Sequence, residues 1–147
     1  MTDRSTPIVV EQTFPVSRAK LWNAITQHDQ MIQWFFEDIP DFRPEVGFTT
    51  QFNVHSGGRN FLHVWSITES IPGHKIVYDW RYKDLPGVGK VTFEILEAQQ
   101  GSRLRVINEG LDSFPSDVPE FTRESCVRGW KYLVQESLRD FLEPAEN

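Results

Sequence analysis

The sequence predicts an α+β domain in which a curved, six-stranded antiparallel sheet wraps around one long C-terminal helix. Three observations indicate this class. One strand-like segment precedes two short helical segments, and five more strand-like segments follow, joined by short turns. The longest helical pattern closes the chain. A sheet must cover its apolar face, and this final helix is the element that can do so.

The first half of the chain supplies one strand and the two short helices. Apolar and polar residues alternate over Ile8–Phe14, which predicts a strand. A helix follows through about Thr26, with Ser17 as its predicted N-cap. A second helix is predicted at residues 29–36, again with its first residue as the N-cap. The prolines in residues 37–45 predict a loop.

The second half of the chain alternates strand-like segments with turns rich in glycine and proline. The five strands are predicted at residues 46–54, 60–70, 74–83, 88–98 and 102–109. Because the turns are short, strands that are neighbours in sequence are expected to pair in antiparallel fashion. With the first strand, the predicted sheet therefore has six strands.

The final helix is predicted at residues 118–142, which gives a length of about 37 Å at 1.5 Å per residue. Asp117 and Glu120 have the spacing of a capping box, and Pro144 is expected to end the helix. Its apolar stripe is Val127, Trp130, Val134, Leu138 and Phe141. The predicted organisation is a single domain over residues 7–143, with tails at 1–6 and 144–147.

Composition excludes several classes of partner. The formal net charge is -6 and the sequence has no cluster of basic residues, which argues against nucleic acid and anionic membranes as partners. No stretch approaches the ~20 apolar residues of a membrane span. Cys126 is the single cysteine, so an intrachain disulfide is impossible. These features predict a cytoplasmic protein without a membrane span.

The sequence lacks the residue patterns of metal-binding and phosphate-binding sites. The histidines show no paired metal-ligand spacing, and Cys126 has no neighbouring cysteine. The glycine-rich spots at residues 57–58 and 87–89 read as turns and do not form a phosphate-binding loop. The sequence therefore predicts neither a metal nor a cofactor.

Strand alternation identifies side chains that should face the final helix. The candidate ligand-binding residues are His63, Trp65, Tyr78, Trp80, Phe93, Val106, Asn108, Trp130 and Val134. Tyr82 shares the inward face of its strand with Trp80. These rings either pack as a solid core or enclose a pocket of ~300–1,000 Å³, the usual range for small-molecule sites. His63 either orients a ligand, acts as an acid or base, or is structural.

Five motifs occur in the order in which one known family has them. They are PVSRAKLWNAIT (15–26), MIQWFF (31–36), PEVGFTTQF (44–52), VWSITESIPGHKIVYDW (64–80) and RGWKYLVQESLRDFL (128–142). Together they resemble the START/Bet v 1-like (SRPBCC) superfamily, and within it the activator of Hsp90 ATPase (AHSA1)-like branch. The resemblance implies a helix-grip fold and favours a cavity over a solid core.

The function that follows first is a non-catalytic domain that binds a small hydrophobic molecule, with no catalytic residue assigned. One alternative is a small-molecule enzyme of cyclase, dehydratase or hydrolase type that uses His63 in a desolvated pocket. The other is a chaperone-partner domain, as the family resemblance implies. An exposed apolar groove would favour the chaperone partner, and a closed pocket would favour the first two.

Overall fold

The computed structural model describes residues 4–143, and the predicted α+β helix-grip fold is confirmed. The first strand is followed by two short helices and then by the other five strands of the sheet. In chain order these elements are β1 (Ile8–Phe14), α1 (Arg18–Thr26), α2 (His28–Trp34), β2 (Thr49–Ser56), β3 (Arg59–Ile71), β4 (Lys75–Tyr82), β5 (Gly89–Glu97) and β6 (Ser102–Glu109). The C-terminal helix comprises α3 (Arg123–Lys131), a π-helical segment (Tyr132–Ser137) and α4 (Leu138–Leu142). The strands are antiparallel in the order β1-β6-β5-β4-β3-β2.

The sheet presents its apolar face to the C-terminal helix. Alternate residues of β3 are buried from Phe61 to Ile67. Buried residues also alternate along β6 and, apart from the additional buried Thr92, along β5. Trp65 lies opposite Trp80 on the neighbouring strand, so their rings pack side by side. The β3–β4 register shifts between Ile67 and Glu69, and such a bulge bends the strand. The bend helps the sheet to close around the helix.

The predicted start of the C-terminal helix at residue 118 is wrong, as is its capping box. Pro119–Phe121 form a separate 3₁₀ turn, and Thr122 is the N-cap, accepting a hydrogen bond from the backbone N–H of Ser125 at 3.2 Å. Val118 precedes a proline and is held in an extended conformation, which disfavours a helix there. The predicted stop at Pro144 lies outside the described residues.

The stripe that the C-terminal helix buries also differs from the prediction at its end. Trp130, Val134, Leu138 and Leu142 are buried, whereas Val127 and Phe141, the two ends of the predicted stripe, are only half-buried. The backbone N–H of Leu138 donates to the carbonyl of Leu133 five residues earlier, which is π-helical pairing. The wider π turn keeps residues four apart on one face. The buried stripe therefore advances in steps of four and reaches Leu142.

The two short helices pack against the sheet and against the end of the C-terminal helix. The predicted cap at Ser17 is confirmed, because its hydroxyl accepts from the backbone N–H of Lys20 at 3.1 Å. The predicted cap at Asp29 is wrong, since α2 begins one residue earlier and has no side-chain cap. The helix ends at Trp34, and Phe35 leaves helical geometry at φ -97 and ψ -96. This departure accompanies the burial of the Phe35 ring in the core.

Candidate functional site

A cavity of about 210 Å³ lies between the sheet and the C-terminal helix. Its wall comprises Phe36, His63, Trp80, Tyr82, Gly89, Asn108, Leu111, Phe114, Glu120, Phe121, Cys126, Gly129, Trp130 and Leu133. The sheet, the segment that follows β6 and the C-terminal helix each contribute side chains. The cavity is smaller than the range expected from the sequence.

The nine candidate residues divide between this cavity and the packed core. His63, Trp80, Asn108 and Trp130 line the cavity. The other five belong to the buried hydrophobic core and are absent from the cavity wall: Trp65, Tyr78, Phe93, Val106 and Val134. The residues predicted to face inward therefore fall into two groups, one on the cavity wall and one in the packed core.

Phe35 accounts for this division. Its ring centroid lies 5.4 Å from that of Trp65 and 6.0 Å from those of Phe93 and Trp130. It also lies 6.2 Å from that of Trp80. The ring thus occupies space between the sheet and the helix that the sequence alone would leave to a ligand. This insertion explains why the observed cavity is small.

Several cavity residues were missed at the sequence level. Four of them come from the segment between β6 and the C-terminal helix, namely Leu111, Phe114, Glu120 and Phe121. That segment was treated as a loop and partly as a helix, so its side chains had no predicted direction. Tyr82 could have been included, because alternation already placed it beside Trp80 on the inward face. Gly129 also gave a signal, since a glycine inside a helical pattern leaves space directly before the inward-facing Trp130.

His63 presents a neutral imidazole to the cavity. Burial lowers the pKa of His63 to about 4, and a hydrogen bond to the carbonyl of Phe61 opposes that effect. The Nδ1 atom lies 3.0 Å from this carbonyl oxygen, so we assign the proton to Nδ1. The Nε2 atom is then an acceptor, and it has no hydrogen-bond partner in the described part of the chain.

Tyr82 and Cys126 are also neutral at physiological pH. The indole N–H of Trp80 donates to the hydroxyl oxygen of Tyr82 at 2.8 Å, while burial raises the pKa of Tyr82. The thiol of Cys126 donates to the carbonyl of Glu120 at 3.6 Å. Burial raises the pKa of Cys126 to about 11, against the opposing charges of Arg4 and Arg123. Neither side chain supplies an anionic nucleophile.

Glu120 is an acidic residue of the cavity wall. Its Oε2 atom accepts a hydrogen bond from the hydroxyl of Ser56 at 3.0 Å. Its Oε1 atom is buried and finds no hydrogen-bond partner within residues 4–143. Among the described residues that line the cavity, Glu120 is the only Asp, Glu, Lys or Arg, and His63 is neutral at physiological pH.

A second depression, of about 440 Å³, lies at the β2–β3 and β4–β5 turns. Its wall includes the polar and charged residues Asn53, Arg59, Asn60, Lys83 and Asp84.

Over residues 4–143 the structure contains no group of three or more His, Cys, Asp or Glu that could hold a metal ion. In the same part of the chain, no helix has the length and apolar character needed to cross a membrane.

The fold defines a helix-grip domain, and comparison with known proteins identifies its family. Residues 15–143 match the family model described as activator of Hsp90 ATPase homolog 1-like protein. The chain therefore belongs to this family. No curated protein matches the sequence.

Solved structures share this fold at low sequence identity. Mll3558 from Rhizobium loti is 19% identical, with a TM-score of 0.80 over 93% of this chain and 96% of its own. CV1439 from Chromobacterium violaceum is 21% identical, with a TM-score of 0.77 over 95% of this chain and 98% of its own. The Aha1 dimer from Colwellia psychrerythraea is 18% identical, with a TM-score of 0.71 over 97% and 99%.

Proposed function

We propose that this chain is a non-catalytic domain that binds a small, largely apolar molecule between the sheet and the C-terminal helix. The observation that carries the proposal is the cavity of about 210 Å³ with its mainly aromatic wall and few polar groups. Its volume equals that of roughly seven water molecules in the liquid. A ligand of this size has about one substituted aromatic ring.

The polar groups of the cavity support binding over catalysis. A general base needs a pKa near the working pH, whereas burial lowers the pKa of His63 to about 4. A cysteine nucleophile needs a thiolate, whereas burial raises the pKa of Cys126 to about 11. Both groups are suited to orienting a ligand through neutral hydrogen bonds.

A direct test measures whether small aromatic molecules enter this cavity. We expect 2-phenylethanol to change the fluorescence of Trp80 and Trp130 with saturation at one site per chain. The bound alcohol should also slow alkylation of Cys126 by iodoacetamide, because the thiol lies on the cavity wall. Absence of binding by both measurements would refute the proposal.

Gly129 offers a variant that blocks the cavity. It lines the cavity and is exposed, and a Cβ atom at this position would meet no atom within 4 Å beyond its own stretch of helix. Gly129→Leu should therefore fill part of the space and weaken binding while the fold persists. Tyr132→Leu is the matched control, because Tyr132 is exposed on the same helix and does not line the cavity. Equal loss of binding in both variants would contradict a site at this position.

A chaperone-partner role is the second candidate. The family description favours it, and the Colwellia psychrerythraea relative is named Aha1. The large exposed apolar side chains, however, are distributed over strands, loops and the C-terminal helix: Val9, Val46, Ile71, Val88 and Tyr132. Single exposed apolar residues are normal on a folded surface. Stimulation of Hsp90 ATPase activity by this chain, unaffected by Gly129→Leu, would favour this second role.

A further inference from the structure

The carboxylate of Glu120, whose side chain is half-buried, is incompletely satisfied. One oxygen accepts from Ser56, and the other is buried without a hydrogen-bond partner in the described residues. No ion pair joins Glu120 to a basic side chain within residues 4–143. Burying a charged oxygen without a partner is costly, so the missing donor is expected to come from a molecule that the chain binds.

The same cavity is rich in aromatic rings. Its wall includes Phe36, Trp80, Tyr82, Phe114, Phe121 and Trp130. Ring faces attract cations, and an aromatic enclosure is the usual way in which proteins recognise organic ammonium groups. A carboxylate within such an enclosure adds a full opposite charge in surroundings of low dielectric constant, where the attraction is stronger than in water.

The neutral imidazole of His63 also favours a ligand that donates hydrogen bonds. The Nε2 atom of His63 is an acceptor on the cavity wall and has no partner among the described residues. Arg4 lies near this region but is not part of the wall, and its Nη2 atom donates to the carbonyls of Leu111 and Phe114. Arg123 likewise acts on the thiol of Cys126 from outside the wall. An anionic ligand would therefore meet the carboxylate of Glu120 on the wall, with both arginines outside it.

We infer that the cavity selects a small organic ammonium ion, with an aryl or alkyl body and a protonated primary amine. This inference rests on the proposed ligand-binding function and specifies its ligand class. The ammonium group donates to Glu120 and to the Nε2 atom of His63, since a primary ammonium carries three N–H donors. The apolar body packs against the rings. Association involves no covalent step and no proton transfer.

The test compares three molecules with the same aromatic body and different charge. At neutral pH, 2-phenylethylamine is a cation, 2-phenylethanol is neutral and phenylacetate is an anion. Calorimetry and tryptophan fluorescence should show that the amine binds about tenfold or more tightly than the alcohol, as a desolvated cation–π and carboxylate contact predicts. Phenylacetate should bind more weakly than the alcohol.

Variants locate the source of this preference. Glu120→Gln keeps a side-chain oxygen that can accept from Ser56, so it should remove most of the preference for the amine over the alcohol when both affinities are measured in this variant. Asp117→Asn removes a nearby exposed charge outside the cavity and should preserve the preference. Retention of the full preference in Glu120→Gln would overturn the inference.

The outcomes separate this inference from the function on which it rests. If the wild-type chain binds the alcohol as tightly as the amine, the ammonium inference is wrong and the apolar binding site stands. If none of the three molecules binds, both proposals are wrong. The wild-type comparison remains decisive even if Glu120→Gln fails to fold.

Discussion

The space between the sheet and the C-terminal helix has a filled end and an open end, although inward-facing aromatic residues build both. At the filled end the ring of Phe35 packs against Trp65, Phe93 and Trp130. At the open end Gly129 contributes no side chain, and a cavity of about 210 Å³ remains. The difference teaches that one inserted ring and one missing side chain decide whether an aromatic face becomes core or pocket.

The two ends also differ in how their tyrosines are satisfied. At the open end, the hydroxyl of Tyr82 accepts from the indole N–H of Trp80. At the filled end, the hydroxyl of Tyr78 and the indole N–H of Trp65 are buried without partners in the described part of the chain. Burial raises the pKa of Tyr78 well above its usual value. Trp65 and Tyr78 therefore stabilise the filled end through ring packing rather than through side-chain hydrogen bonds.

Phe35→Ala should produce the largest effect, because it removes the ring that distinguishes the filled end. We expect a loss of about 3–5 kcal/mol in the free energy of unfolding, as for other large buried aromatic residues. Phe36→Ala is the matched control, since Phe36 is the next residue, is only half-buried and lines the cavity. It should cost less and alter ligand affinity more. Denaturant unfolding of both variants measures the difference, and equal losses would contradict it.

The pH dependence of stability should report the burial of His63. Its pKa falls from 6.5 to about 4 in the folded protein, so the unfolded chain binds more protons between these values. The free energy of unfolding should therefore be unaffected by His63 above pH 6.5. It should fall as the pH drops from 6.5 toward 4, by about 3 kcal/mol in total. His63→Leu should flatten the curve in this window. A parallel curve for the variant would show that His63 titrates normally.

The sequence predicted the sheet and failed on the details that shape the cavity. Strand alternation placed Trp65, Trp80 and Phe93 correctly on the inward face, because period-two burial is a local signal. The insertion of Phe35 depends on a non-helical backbone at the end of α2 and on long-range contacts. The stretch before Thr122 was mistaken for helix because the spacing of its residues mimics a cap. Neither feature has a periodic pattern.

A matched pair of tyrosine substitutions compares hydrogen bonding at the two ends. Tyr82→Phe removes the acceptor of the Trp80 indole and should cost about 1 kcal/mol. Tyr78→Phe removes a buried hydroxyl that has no partner within the described residues, so it should be close to neutral. Thermal unfolding of the two variants measures the difference. A larger cost for Tyr78→Phe would mean that an internal water satisfies its hydroxyl.

Gly129→Ala should have a small effect on stability and a separate effect on ligand binding. Glycine inside a helix destabilises it by roughly 0.5–1 kcal/mol relative to alanine. The new methyl group would meet no atom within 4 Å, so no clash offsets the gain. The variant should therefore unfold at a higher denaturant concentration than the wild type while binding 2-phenylethanol less tightly, because the methyl group occupies part of the open end. A variant that is more stable and binds equally well would show that Gly129 faces only solvent, and the open end would then owe its space to the sheet side alone.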